Sequence, residues 1–371
     1  MRKKGRGLTH IGELFSPKLL RELKGPTPIQ KRIIEATNNP EPPDARSILY
    51  QHTVLCQTCL PYRDPGDDVR TWERLNGNVH LEISAGKAMH PEQGRLVPIP
   101  LPFGPKCRLV LMHINQRALQ TRSPNIEVED SLTAFVRRVL KLDPKGRNIR
   151  MVKDQLTRLS AASITLGVTR QTSTGNLAAT GHLHVIEHFE VWFPKDERQR
   201  VFWPSTVDLS PTYFESLLGH AVPLNESHIA ALSHSAMALD IYAWLAQRLC
   251  RVPPGKGAFI SWAALHGQFG QGYNRLNNFR AAFRTALREV LAVYRDATIT
   301  EDQRRPPRLA LHGSTPVWRE PALKGLTLHH SLPPVPRLLH PVSAPAPEKT
   351  ESKTDREAPR QLRKSLLQHQ P

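Results

Sequence analysis

The run from Ala238 to Tyr294 constrains the fold of this chain more than any other part of it. ALDIYAWLAQRLCRVP (Ala238–Pro253) has the apolar spacing of a buried helix, and Gly255 and Gly257 then interrupt it. FISW reads as a short strand, and Trp262–Phe269 gives about two helical turns before the glycines Gly270 and Gly272. A long basic helix follows to Tyr294, and GLTLHHSLPPV (Gly325–Val335) reads as a returning strand. Apolar residues three and four apart mark the helices, and glycines mark the breaks between them.

The long helix can be phased. At about 100° per residue, Leu276, Phe279, Phe283, Leu287, Val290 and Tyr294 share a face that packs inward. The opposite face carries Asn274, Asn277, Asn278, Ala281, Thr285 and Arg288, with Arg280 and Arg284 on its flank. Asn can bond adenine through two hydrogen bonds, Arg can grip guanine or phosphate, and Ala and Thr leave room for thymine methyls. Five arginines stand against one acidic residue, Glu289, between Tyr273 and Arg295. Charge phasing alone also fits the solvated face of an ordinary amphipathic helix. The glycine turn and the helix before it decide for a winged helix-turn-helix, whose second helix enters the DNA major groove.

Composition points the same way. Among 371 residues, 51 Lys and Arg outnumber 33 Asp and Glu, for a net charge of +18. Such an excess opposes compaction, so a polyanionic partner is the economical explanation. No apolar run of about 18 residues predicts a membrane span, and the basic MRKKGRGLTH lacks the apolar core of a secretory signal. Double-stranded DNA is therefore the expected partner, in the cytoplasm and away from the membrane. Cys56, Cys59, Cys107 and Cys250 are too few and scattered for a disulfide framework and fit a reduced compartment.

The expected fold class is α+β, with two tandem winged-helix domains between a basic N-terminal arm and a disordered C-terminal tail. Residues 1–45 form the arm, with nine Lys or Arg against three Glu up to Glu35 and a linker signal in NNPEPPD. Residues 46–202 form the first winged-helix domain behind a β-rich scaffold. In that scaffold HTVLCQTCLPY, NGNVHLEISAG and GRLVPIPLP alternate like strands, with a hairpin-type Asn-Gly pair. Helices are expected over Cys107–Ser123, from an Ser131 cap to Leu142, and over Asn148–Ser163, with NIEVED a strand between the first two. Ile164–Arg170 and His182–Phe193 would be the wing. Residues 203–335 form the second domain, entered through a connector over Pro204–Pro223, and residues 336–371 are the Pro-rich tail. Thr298–Leu326 reads as a long basic insertion at the place of a wing loop, equally compatible with a surface loop.

Three chemical motifs bear on catalysis. His182-Leu183-His184 has the His-apolar-His form of metal-assisted nicking enzymes, in which a tyrosine attacks the phosphate. Tyr242 and Tyr294, however, lie in packing positions without polar support, and a wing strand accounts better for the two histidines. Cys56-x-x-Cys59 after His52 invites a zinc reading but lacks a second ligand pair at the usual spacing. No Walker-type glycine loop is present. The expectation is a protein that is not an enzyme, with no cofactor and no metal.

The DIYAWLAQRL, ISW, QFG-x-GY and SLPPV blocks, with LPFGPKCRLVLMHIN and TRSPNIEVEDSLTAFVRRVL upstream, resemble the RepA family of bacterial plasmid replication initiators over roughly Leu101 to Val335. The resemblance implies binding to repeated origin sequences (iterons), origin opening, and recruitment of the host initiator and replicative helicase, with dimer and monomer forms. It also places the DNA reader at Gln271–Arg288, with Asn274, Arg275, Asn277, Asn278, Arg280, Ala281, Arg284, Thr285 and Arg288 in contact. Arg147, Arg150, Lys153 and Arg158 of the first domain would hold phosphates or a dimer face. A site-specific transcription regulator would share the same fold and charge.

Overall fold

The computed structural model describes residues 27–38, 47–77, 79–90, 93–138, 147–172, 175–189, 206–253, 255–302 and 307–318. They form a mixed α/β fold whose strands lie in several small antiparallel sheets. The expected returning strand Gly325–Val335 and the tail 336–371 lie outside the described residues.

Within the segment expected to be an arm, residues 28–38 are a helix, α1 (Pro28–Asn38). Thr27 and Gln30 explain its start: Gln30 N–H donates to the Thr27 hydroxyl at 3.2 Å, and Thr27 N–H donates to the Gln30 side-chain Oε1 at 2.9 Å. This reciprocal cap, with Pro28 in the first turn, satisfies two helix-end donors. Next come β1 (Ile48–His52) and a single-turn helix α2 (Thr53–Gln57). HTVLCQ was expected to be a strand. It coils instead because His52 Nδ1 accepts from Val54 N–H, and because Val54, Leu55 and Cys56 are buried consecutively. A half-buried strand would expose every second one of them.

The Asn-Gly pair turns as expected. β2 (Thr71–Asn76) and β3 (Val79–Ser84) pair antiparallel around Gly77, whose φ of +60° favours glycine. Strand β3 buries Val79, Leu81 and Ile83 on one face. A separate hairpin pairs β4 (Lys87–His90) with β5 (Arg95–Pro98). Helix α3 (Gly104–Thr121) leads to β6 (Asn125–Glu127) and α4 (Glu129–Arg138), which begins two residues before the expected Ser131 cap. Helix α5 (Arg147–Ala161) buries Val152, Gln155, Leu156 and Leu159.

The strands after α5 depart from a simple wing. β7 (Ser163–Thr172) and β8 (Gly175–His184) form the hairpin, but the free edge of β7 is taken by β3, giving a sheet ordered β2-β3-β7-β8. Burial of Val185 and Ile186 turns the chain at the end of β8. β9 (Ile186–Phe189) then joins another sheet, ordered β6-β10-β9, with β10 (Thr206–Leu209).

The described part of the expected connector Pro204–Pro223, from residue 206, is regular structure. It holds β10, α6 (Pro211–His220, capped by Ser210) and β11 (Ala221–Asn225), and β11 pairs with β1 from Ile48↔Asn225 to His52↔Ala221. Helices α7 (Glu226–Leu232) and α8 (Ala236–Leu249) follow. Nearly every side chain of α8 is buried, consistent with its all-round apolar sequence. Two residues on α3 and α8 form a buried ion pair, Arg108 with Asp240.

The last described elements are β12 (Ala258–Ser261), α9 (Trp262–Phe269), α10 (Leu276–Val293), β13 (Ile299–Asp302) and β14 (Arg308–Leu311). The three strands form a sheet ordered β12-β14-β13. Part of the Thr298–Leu326 stretch is thus sheet, not loop. Ile299, Leu309 and Leu311 are buried, and that anchors strands too short to show a period beside RRPP. Helix α1 packs on α7 and α10, and the Thr37 hydroxyl donates to the Ala292 carbonyl at 3.1 Å.

Candidate nucleic-acid interface

The site is built on α10 and held from behind by aromatic rings. Phe279 and Phe283 are fully buried, and Trp262 meets them edge-on at 6.4 and 5.8 Å between centroids. Phe269 tilts against Phe283 at 5.6 Å, and Trp244 of α8 closes on Phe269 at 5.5 Å. Leu287 and Val290 continue the buried stripe, and Tyr294 follows it. All of the expected inward face is therefore inward, with Leu276 partly covered at the helix start. Such a ring cluster fixes the rotation of α10 about its axis, and this decides which residues face outward.

The turn before α10 is equally determined. The Ser261 hydroxyl caps α9 by accepting from Ala264 N–H. The ring of His266 bonds the Tyr273 carbonyl at 2.9 Å, and a Cβ on Gly270 would collide with that ring and stand 2.6 Å from the His266 backbone carbonyl oxygen. Gly272 takes a φ of +85°. Both glycines are therefore required by geometry.

Asn274, Arg275, Asn277, Asn278, Ala281 and Thr285 are exposed, while Arg280, Arg284 and Arg288 are partly covered. Arg275 holds the N-cap position of α10 without a side-chain cap bond, which leaves an exposed cation at the start of the helix. Arg280 lies over the Trp262 ring at 5.5 Å. Arg288 bonds the Arg284 carbonyl and the Thr285 hydroxyl, which aligns it along the helix.

Arg284 is placed differently from an open DNA-facing residue. Its Nη2 donates to Glu301 Oε1 at 2.6 Å and its Nε to Oε2 at 3.3 Å, while its guanidinium sits 4.9 Å over Trp262. Trp262 Nε1–H donates to Glu301 Oε1 at 3.3 Å. Glu301 belongs to β13 and is not singled out by the sequence, where it is one of three acids, with Asp302 and Glu320, in the basic Thr298–Leu326 stretch. On the outer side of the sheet Arg308 pairs with Asp302 at 3.0 Å and lies 3.9 Å over the ring of Phe259, which is half exposed.

Arg147, Arg150, Lys153 and Arg158 do not join this cluster through direct packing of their helix on α10. Helix α5 packs on α3 and β9, whereas α10 packs on α1, α7, α8 and α9. Arg147 and Arg150 are exposed and Lys153 is partly so. Arg158 is engaged within the protein: its side chain is 12 % exposed, bonds Asp154 at 2.9 Å and the Leu101 carbonyl, approaches Asp64 at 3.6 Å and covers the Phe103 ring.

The alternative chemistries find little support. Tyr242 is fully buried, its hydroxyl accepts from Asn225 N–H at 3.0 Å, and burial pushes its phenol far up. Burial likewise pushes Tyr294 up to about 12. Neither phenol is poised to attack a phosphate. His182 falls in β8, and His184 is exposed at its end. Burial raises the thiols of Cys56 and Cys59, and His52 already bonds Val54 and Ser216. Among the described residues no group of three or more His, Cys, Asp or Glu is arranged to hold a metal. No described helix is long and apolar enough to cross a membrane.

The family model RepA_C, described as plasmid encoded RepA protein, matches residues 101–264. The resemblance read from the upstream and DIYAWLAQRL blocks holds over that segment. The match ends within α9, so α10 lies beyond it. No curated protein matches the chain. Two solved structures are similar to it at low identity. One, of selenomethionine derivatives of domain 2 and domain 3 of RctB, has a TM-score of 0.44 at 9 % identity, covering 68 % of this chain and 94 % of the other. A second, of RctB domains 2-3, has a TM-score of 0.43 at 10 % identity, covering 70 % and 96 %.

Proposed function

We propose that this chain, which over residues 101–264 carries the signature of the plasmid encoded RepA proteins, is a plasmid replication initiator that reads repeated sequences at its origin through α10. The observation that carries this is the outward face of α10, where three asparagines and Arg275 are exposed while the rings of Phe279, Phe283 and Trp262 fix the opposite side. The order α8, β12, α9, α10, β13, β14 with sheet order β12-β14-β13 supports a winged-helix reading of residues 203–335. The order α3, β6, α4, α5, β7, β8 supports a second such unit within 46–202, modified by the pairing of β6 with β10.

In this reading Asn274, Asn277 and Asn278 address base edges, with Ala281 and Thr285 allowing close approach to thymine methyls. Arg275, Arg280 and Arg288, with Arg147, Arg150 and Lys153 of the first unit, neutralise phosphates and supply most of the affinity. DNA held in this way would be opened and handed to the host initiator and replicative helicase, by a protein that can pass between dimer and monomer.

A DNase I footprint on the supercoiled parent plasmid, with strand nicks scored on the same gel, tests the proposal. Regularly spaced protection over direct repeats without nicks is the expected result. Protection of a lone promoter would make the protein a transcription regulator instead. A metal-dependent nick would overturn the reading and move attention to His182 and His184.

A further inference from the structure

Glu301 stands out among the groups around α10 because it is an acid placed where DNA binding would favour none. It is mostly covered, at 12 % side-chain exposure, while its partner Arg284 keeps 41 %. Three donors converge on its carboxylate: Arg284 Nη2 and Nε, and Trp262 Nε1. The guanidinium is further held by the face of Trp262 at 4.9 Å. Trp262 is itself fixed by Phe279 and Phe283, so the carboxylate, the indole and the guanidinium form one rigid unit between the helix and the sheet.

We propose that Glu301 is a specificity-determining residue that withholds Arg284 from DNA phosphate. The inference rests on α10 being the DNA reader. A guanidinium with a bidentate carboxylate partner carries no net charge to release a counterion, and counterion release is the sequence-independent part of DNA affinity. One turn of α10 away, Arg280 and Arg288 have no carboxylate partner among the described residues. Arg284 is thus the one cation of the reading helix that β13 neutralises. The effect is to lower binding to any DNA while leaving base-edge contacts untouched, so the ratio of specific to random binding rises. Glu301 also fixes the angle of the hairpin to the helix, because the same carboxylate bonds both Arg284 and the indole.

The test is binding of the full chain to a footprinted repeat and to a random duplex of equal length, measured by fluorescence anisotropy across salt concentrations. Glu301→Gln keeps the shape and the acceptor for Trp262 but removes the charge. The expected result is a salt slope (log K against log salt) steeper by about 0.9, the value of one added phosphate contact, and a several-fold fall in the specific-to-random ratio. Arg284→Gln should leave the wild-type slope unchanged, and the double variant should return to it. An unchanged slope in Glu301→Gln, or a slope flattened by about 0.9 in Arg284→Gln, overturns the inference. If Glu301→Gln does not fold at the assay temperature, Arg284→Gln decides alone. Arg275→Gln and Asn277→Ala separate the two levels. If neither changes binding, α10 is not the reader; if both do while Glu301→Gln has no effect, only the role of Glu301 fails.

Discussion

Arg108 on α3 grips Asp240 on α8 with two bonds, Nε to Oδ1 at 2.6 Å and Nη2 to Oδ2 at 2.7 Å. Its other three N–H groups donate to the carbonyls of Leu60, Pro61 and Gly104. Every donor of a buried guanidinium is thereby used, the condition under which such a charge is tolerated in a core. The pair lies between residues 132 positions apart, one in each of the two units inferred from the sequence.

Asp240→Asn should therefore destabilise strongly, by about 3–5 kcal/mol, because Arg108 keeps its charge and loses its counterion. The double variant Arg108→Met with Asp240→Leu should recover most of that loss, since apolar side chains of similar volume fit the same space. Urea unfolding of the wild type and the two variants checks this; a double variant no better than the single would mean the bonds to Leu60, Pro61 and Gly104 dominate.

On the reading face, Asn277→Ala should change the ranking of site variants at one base pair by about 1–3 kcal/mol, with little change on random DNA. Arg275→Gln should do the reverse, weakening all duplexes and flattening the salt slope by about 0.9. Competition binding against a panel of single-base variants distinguishes the two, and a ranking untouched by Asn277→Ala would show that another surface selects the sequence.

Gly270→Ala should cost about 1–3 kcal/mol of stability and a larger share of DNA affinity. The new methyl meets the His266 carbonyl, and the turn that aims α10 cannot close around it. Gly267 makes the control: nothing lies within 4 Å of a Cβ there, so Gly267→Ala should leave DNA binding near wild type. Equal losses in both variants would point to a general effect on α9.

Acid should unfold the protein in a definite window. Burial holds the imidazoles of His52 and His228 down to about 4, from an ordinary 6.5. Between these values the unfolded chain binds protons that the folded one refuses, so stability is complete above 6.5 and falls as pH drops towards 4. Each histidine accounts for on the order of 3 kcal/mol across the window. Urea midpoints measured from pH 7 to 4.5 should decline accordingly, and His52→Asn, which keeps the cap on α2, should flatten the decline by about one proton.

Long periodic elements were the legible part of this fold. Helix α10 was readable because six inward positions repeat over five turns, and α3, α5 and α9 for the same reason. Short elements were legible only where a local signal marked them, as in FISW, NIEVED and the Asn-Gly hairpin. The T-P-I-Q cap of α1 sits in a basic stretch without strong periodicity, and β13 and β14 are only four residues each beside a run of Arg and Pro. The candidate face of α10 followed from phase, whereas the pairing of Arg284 with Glu301 and of Arg108 with Asp240 did not. Such partners meet only through tertiary packing, and no local spacing encodes them.

The closure of α1 on α10 has a consequence for how the chain is made. Thr37 and the carbonyl it bonds, on Ala292, are 255 positions apart. At roughly 5–20 residues per second, the ribosome delivers the partner of α1 on the order of 10 to 50 seconds after α1 itself. Until β11 and α7 emerge, the pairing edge of β1 and the apolar side of α1 around Ile33 stand open, and the side of α1 that meets α10 waits for the whole interval. Contacts of such range slow folding and leave nascent intermediates prone to association. Synthesis rate and chaperone supply thus govern how much reader reaches its working shape.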